Sequence, residues 1–238
     1  VVLFPLLKPL GGAAPTEAPA TPAAPTSGDD DPEPMSEAHR ALLGTPADDV
    51  EDLGLDRAAA EALFEAHVKT PSLQRQMRMA SVVMGALAAQ RGANEEAWRI
   101  LGLLHNVDFD EVKEPERHCL VAAEWLREAG MHPAGIHAIA AHNDKGLAET
   151  GIRCLSAMDH AVSCAEAVVG LIHASAQVLP SKDIADLKIK SVKKRFRNAK
   201  FAANVERDLI ERCTGLGIAL EDFLTLAVEA LQAEPVSS

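Results

Sequence analysis

Four side chains in this sequence are suited to hold a metal ion together: His105, His118, His142 and Asp159. Histidine nitrogens combined with a carboxylate oxygen suit Mn, Fe or Zn. Each histidine falls at the end of a segment with helical hydropathy. His105 follows the run Glu95–Leu104, His118 stands at the start of the next helix, and His142 closes the one after. Asp159 lies inside a hydrophobic segment, where an ionised carboxylate needs a partner because desolvating it alone costs several kcal/mol. Singly, each residue also reads as an ordinary helix-end or core group. As a set, they point to one shared site. The stretch Leu103-Leu104-His105-Asn106-Val107-Asp108 is the densest part, with a histidine, an amide and a carboxylate where an apolar helix ends.

Positioning these groups requires helices, and the sequence reads as helical from Ser36 onward. No segment alternates polar and apolar residues with a period of two between turn residues, so an all-α fold without a significant sheet is expected. Asp56 can cap a helix running to about His67. Pro71 or Ser72 opens another, with Leu73, Met77, Ala80, Val83, Met84 and Leu87 as its apolar stripe and Gly92 at its end. Asn94 caps the helix of Trp98, Leu101 and Leu104. Pro115 is expected to open a helix closed by Gly130, and Pro133 one that ends near His142. The run from Ile152 to Ala176 is apolar on nearly all sides and should be the central buried helix. Arg153, Asp159, His160, Glu166 and His173 interrupt it. Two or three further helices extend to about Gln232.

The chain has 238 residues, 47% of them hydrophobic and 24% charged, which suits one globular domain plus a tail. Residues 1–35 form an Ala/Pro-rich stretch expected to be disordered, and residues 36–238 a single domain. Val1 opens the sequence, and Met35 is a candidate start. No apolar run approaches the roughly 20 residues of a membrane helix. Cys119, Cys154, Cys164 and Cys213 show no paired spacing and read as reduced thiols of a cytoplasmic protein. A net charge of −12 argues against general nucleic-acid binding. Against that background, seven basic residues fall within thirteen, from Lys188 to Lys200. Lys190, Lys193, Lys194 and Arg197 share one side of a helix, either as a solvated face or as an anion site for a phosphate-bearing small molecule or nucleotide.

The order of several short motifs resembles HD-domain proteins, more narrowly a family of small bacterial HD hydrolases described as predicted metal-dependent phosphohydrolases. The motifs are Val68-Lys69-Thr70 with Leu73, the stretch from Leu103 to Asp108, Pro115-Glu116-Arg117-His118, Ala141-His142-Asn143 and Ala157-Met158-Asp159. Pro180-Ser181-Lys182, Ser191 through Phe196, and Gly217 through Phe223 are also similar, so the resemblance spans about residues 60–232. It implies an HD-like helical bundle with a metal between helices, polarising a phosphoester and activating a bound water. It also implies a ligand set of an early His, the His-Asp doublet and a later Asp, with two further histidines in members that hold two metals. His105, His118, His142 and Asp159 match that set. Gln76 stands where the early His belongs, and Asn106 where the doublet's Asp belongs.

Asn retains the shape of Asp but removes its charge, and Gln offers a carbonyl oxygen in place of an imidazole nitrogen, so both are weaker ligands. Asn106 and Asp108 are the candidate catalytic residues, with Asp110 a further nearby carboxylate. The reading that follows is an HD-like domain with weakened divalent-metal binding (Mn, Fe, Zn or Mg), impaired hydrolysis and a residual ligand-binding or regulatory role. Two alternatives are an active phosphohydrolase with an altered mononuclear site, and a helical interaction module whose histidines only end helices. The sequence does not specify an oligomeric state.

Overall fold

A computed structural model describes residues 36–236 of the chain; the expected N-terminal tail lies outside the described residues. Ten α-helices and short 3-10 turns make up the described part, and no strand occurs within it. In chain order the helices are α1 (Glu37–Leu43), α2 (Arg57–His67), α3 (Pro71–Arg91), α4 (Glu95–Leu104), α5 (Leu120–Glu128), α6 (Pro133–Ala141), α7 (Ala157–Gln177), α8 (Ile189–Phe196), α9 (Arg207–Glu211) and α10 (Leu220–Ala233).

Helix α7 is the axis of the fold. It is buried on almost every side and touches α3, α4, α6, α8, α9 and α10. Such a helix needs small side chains, and its sequence is rich in Ala, Val, Gly and Ser. The most extensive helix pair is α3 with α4. Gly102 makes it possible: a Cβ there would lie 2.7 Å from the Ala80 carbonyl oxygen and the Ser81 backbone. Ser81 Oγ also donates to the Arg99 carbonyl at 2.8 Å. Trp98, fully buried, donates its indole N–H to Asp49 Oδ1 at 3.0 Å.

Helix ends follow the sequence where a side chain caps locally. Asp56 accepts from the Ala59 amide, Asn94 from the Ala97 amide, and Gly92 ends α3 in the left-handed conformation. Two ends differ. The helix expected from Pro115 starts only at Leu120, because Asp108 reaches in from the preceding loop and accepts the amides of Cys119 and Ala122. Cys119 turns the chain there with φ 71°. The central helix starts at Ala157, later than Ile152. A capping box starts it there, in which Ser156 accepts the Asp159 amide and Asp159 accepts the Ser156 amide.

Candidate metal site

The residues that end α4, α6 and the loop before α5 meet beside α7. His105 directly follows α4, and its Nδ1–H donates to the Gly102 carbonyl at 2.8 Å. His142 directly follows α6, and its Nδ1–H donates to the Ile139 carbonyl. His118 Nδ1–H donates to Asp108 Oδ1 at 2.8 Å. Carbonyls and an ionised carboxylate can only accept, so each Nδ1 carries the proton and each Nε2 carries a lone pair. All three Nε2 atoms are buried without a hydrogen-bond partner. The His142 ring lies edge-on between the others, with centroids 5.5 Å from His105 and 5.3 Å from His118. Histidines oriented through Nδ1 by carbonyls and a carboxylate, with Nε2 left open, are the usual supporting arrangement around a metal.

Glu166, from α7, supplies the carboxylate. It is 2% exposed, and its Oε2 lies 3.6 Å from His142 Nε2. That distance is electrostatic proximity rather than a hydrogen bond. Its Oε1 accepts weakly from Asn106 Nδ2 at 3.5 Å, and Asn106 Oδ1 is buried without a partner. Burial pushes the His142 imidazole down to about 3 and lowers His105 as well, so neither takes a proton readily. Burial also pushes the Glu166 carboxyl up, but positive charge at His142, His105 and His118 would draw it below the usual range. These groups titrate as one unit. Histidines that resist protonation and a carboxylate that needs a nearby cation are reconciled by a bound cation, which satisfies lone pairs and carboxylate together.

Cys119 adds a sulfur ligand. His118, Cys119 and His142 form a buried group whose ligand atoms lie within 4.8 Å of one another, and it could hold a metal ion. Cys119 Sγ sits 3.8 Å from His142 Nδ1, on the ring edge already bonded to Ile139. Burial, then Asp108 and Glu166, push its thiol well above the usual range. Using Cys119 therefore requires a thiolate beside two acids. Using Nε2 of the three histidines avoids the thiolate, but His105 and Glu166 lie outside the group whose ligand atoms converge within 4.8 Å, so both must draw in to share one ion.

The structure brings together His105, His118, His142 and Asn106, each at most 4% exposed. It does not place Asp159 with them. One Asp159 oxygen accepts the amides of Leu155 and Ser156, and the other lies 3.1 Å from His137 Nδ1. The buried carboxylate beside His142 is that of Glu166 instead. Seven residues on, it returns to nearly the same face of α7 about 10 Å further along the axis. Asp108, expected as a loop acid or catalytic group, is fully buried with both oxygens bonded, so it positions His118 and α5. Asp110 holds the residues just before α3, accepting the Lys69 and Thr70 amides and the Thr70 hydroxyl. Gln76 is half-buried on α3, unlike the fully buried histidines. On α8 and just beyond it, Lys193 and Arg197 both pair with Glu221 of α10, at 3.0 and 2.6 Å, and Lys190 and Lys194 are exposed. Half of the expected anion face is thus already neutralised. No helix is long and apolar enough to cross a membrane among the described residues.

The chain matches no family model, no curated protein and no solved structure.

Proposed function

We propose that this protein is a metal-binding helical domain of HD type. In this reading its buried site holds one divalent ion through His105, His118, His142 and Glu166, and the ion serves ligand binding or regulation more than hydrolysis. The observation that carries the proposal is the set of three buried Nε2 lone pairs without donors, beside a buried carboxylate. Asn106 supports the loss of hydrolysis, because a neutral amide stands where a charged bridging ligand would activate water.

A second reading, a mononuclear metal-dependent phosphohydrolase, is favoured by one observation: Glu166 restores a carboxylate to the site. Titrating metal-free protein with Mn, Fe, Zn and Mg separates the two, with calorimetry for binding and a phosphate-release assay on mononucleotides and simple phosphoesters. Near-stoichiometric binding without metal-dependent phosphate release supports the proposal. Metal-dependent release lost in His142→Ala supports the hydrolase. Absence of binding by any of the four metals rejects both.

A further inference from the structure

A second site lies away from the histidines. A cavity of about 530 Å³ opens between α2, α3, α4 and the segment after α10, and four arginines line it: Arg57, Arg75, Arg78 and Arg99. This concentration of guanidinium is unusual for a chain of net charge −12. Three of the four are held by acids. Arg57 forms two hydrogen bonds with Glu96, and Arg78 pairs through both terminal nitrogens with Glu61. Neither Glu61 nor Glu96 lines the cavity, so these pairs hold the guanidinium groups from outside. Arg75 has no carboxylate at ion-pair distance among the described residues, and its Nε is buried without a hydrogen-bond partner.

The remaining acid, Glu234, does line the cavity. Its two oxygens take both terminal nitrogens of Arg99, at 3.1 and 2.9 Å, in the parallel fork that guanidinium also offers to phosphate. Glu234 follows α10 directly and is more than half exposed, so solvent weakens its hold on Arg99. Leaving this arginine fork to an incoming anion would move a side chain just past the end of α10.

We infer that this cavity binds a small phosphorylated molecule through Arg75 and Arg99, with Glu234 as an internal competitor occupying the Arg99 position until the ligand displaces it. The volume falls within the usual range for small-ligand sites. The formal charge of the lining, four arginines against one glutamate, favours a polyanion. The site stands independently of the metal reading, because neither Arg75 nor Arg99 belongs to the histidine cluster.

Inorganic pyrophosphate is the probe, titrated into the full chain by calorimetry. Replacing Arg75 breaks no ion pair among the described residues, so Arg75→Met should fold, and circular dichroism checks that it does. Loss of a charge-assisted contact should weaken pyrophosphate about tenfold in Arg75→Met. Glu234→Gln should tighten it, by about threefold, since an exposed ion pair is worth at most about a factor of five. The inference is overturned if pyrophosphate binds neither the natural protein nor Glu234→Gln. It is equally overturned if Arg75→Met binds as the natural protein does, because the anion then sits elsewhere, the metal site included.

Discussion

Replacing Asp108 by Asn tests whether the histidines are oriented for a metal or merely packed. Asp108 is fully buried and accepts three hydrogen bonds: from His118 Nδ1–H, at 2.8 Å, and from the amides of Cys119 and Ala122, at 2.8 and 3.1 Å. Burial alone would raise its carboxyl, but the bond and charge of His118, helped by the two amides, hold it below the ordinary value. An Asn oxygen can keep both amides, which leaves its NH₂ facing His118 Nδ1. The imidazole must then accept at Nδ1 and carry its proton on Nε2, where it can no longer bind a metal. Exchanging a charge-assisted bond for a neutral one and leaving the Nε2 proton buried without an acceptor costs about 1–3 kcal/mol, read as a shift in the urea midpoint at pH 7. Metal affinity should fall about 10–100-fold, as for loss of an orienting partner elsewhere. The pH dependence has a definite sign. A depressed folded-state carboxyl contributes stability that is full above the unfolded value near 4 and is lost as pH falls through the folded value, so Asp108→Asn should flatten the acid limb of the stability curve. Asp110→Asn is the control, an acid of the same loop that accepts from Lys69 and Thr70; it should cost about 1 kcal/mol and leave metal affinity unchanged. If Asp108→Asn loses stability but binds metal within about twofold of the natural protein, His118 does not ligate through Nε2 and the reasoning is wrong.

Other expectations concern charge and packing. Asn106→Asp places a second carboxylate within about 4 Å of Glu166, given the present Asn106–Glu166 spacing of 3.5 Å. It should destabilise the metal-free protein and tighten divalent-metal binding by tenfold or more, and a metal titration that shows no gain would count against a shared site. In metal-free protein, the depressed His142 and His105 values mean that stability is full above about pH 6.5 and falls as the pH drops toward 3. The slope from His142 should reach about 1.4 kcal/mol per pH unit, and it should shrink in His142→Gln. Gly102→Ala drives a methyl group into the α3 backbone at 2.7 Å, and should cost about 1–3 kcal/mol in denaturant unfolding and weaken metal binding through displacement of His105.

Much of the helical layout was legible from local chemistry. Asp56, Asn94, Gly92, Pro71 and Pro133 mark helix ends by the hydrogen bonds or φ values their side chains favour, and the structure ends helices beside each. The sequence expected His105, His118 and His142 to share a site from their places near helix ends; the structure buries all three, with the His142 ring close to the other two. What sequence reasoning missed is the work of two acids with long reach. Asp108 sets the start of α5 from a preceding loop, and no local pattern at Pro115 records that. Asp159 and Glu166 share a face of one apolar helix, so their burial was legible but not their partners. The capping box at Ser156 was the available signal, since a first-turn acid three residues after a serine is usually occupied by the helix end. That would have left Glu166 as the carboxylate free to meet the histidines. The arginine cavity had no signature at all, because its arginines come from three helices, and only packing brings them together.

The most direct measurement is cobalt(II) titration of metal-free protein, followed by visible absorption, with cobalt per chain by elemental analysis. The account predicts one equivalent bound with ligand-field bands, no thiolate-to-cobalt charge-transfer band, and loss of binding in both His105→Ala and Glu166→Gln. A thiolate band abolished by Cys119→Ala would move the metal to the His118–Cys119–His142 group. Failure to bind cobalt in a protein that remains folded would contradict the metal site altogether.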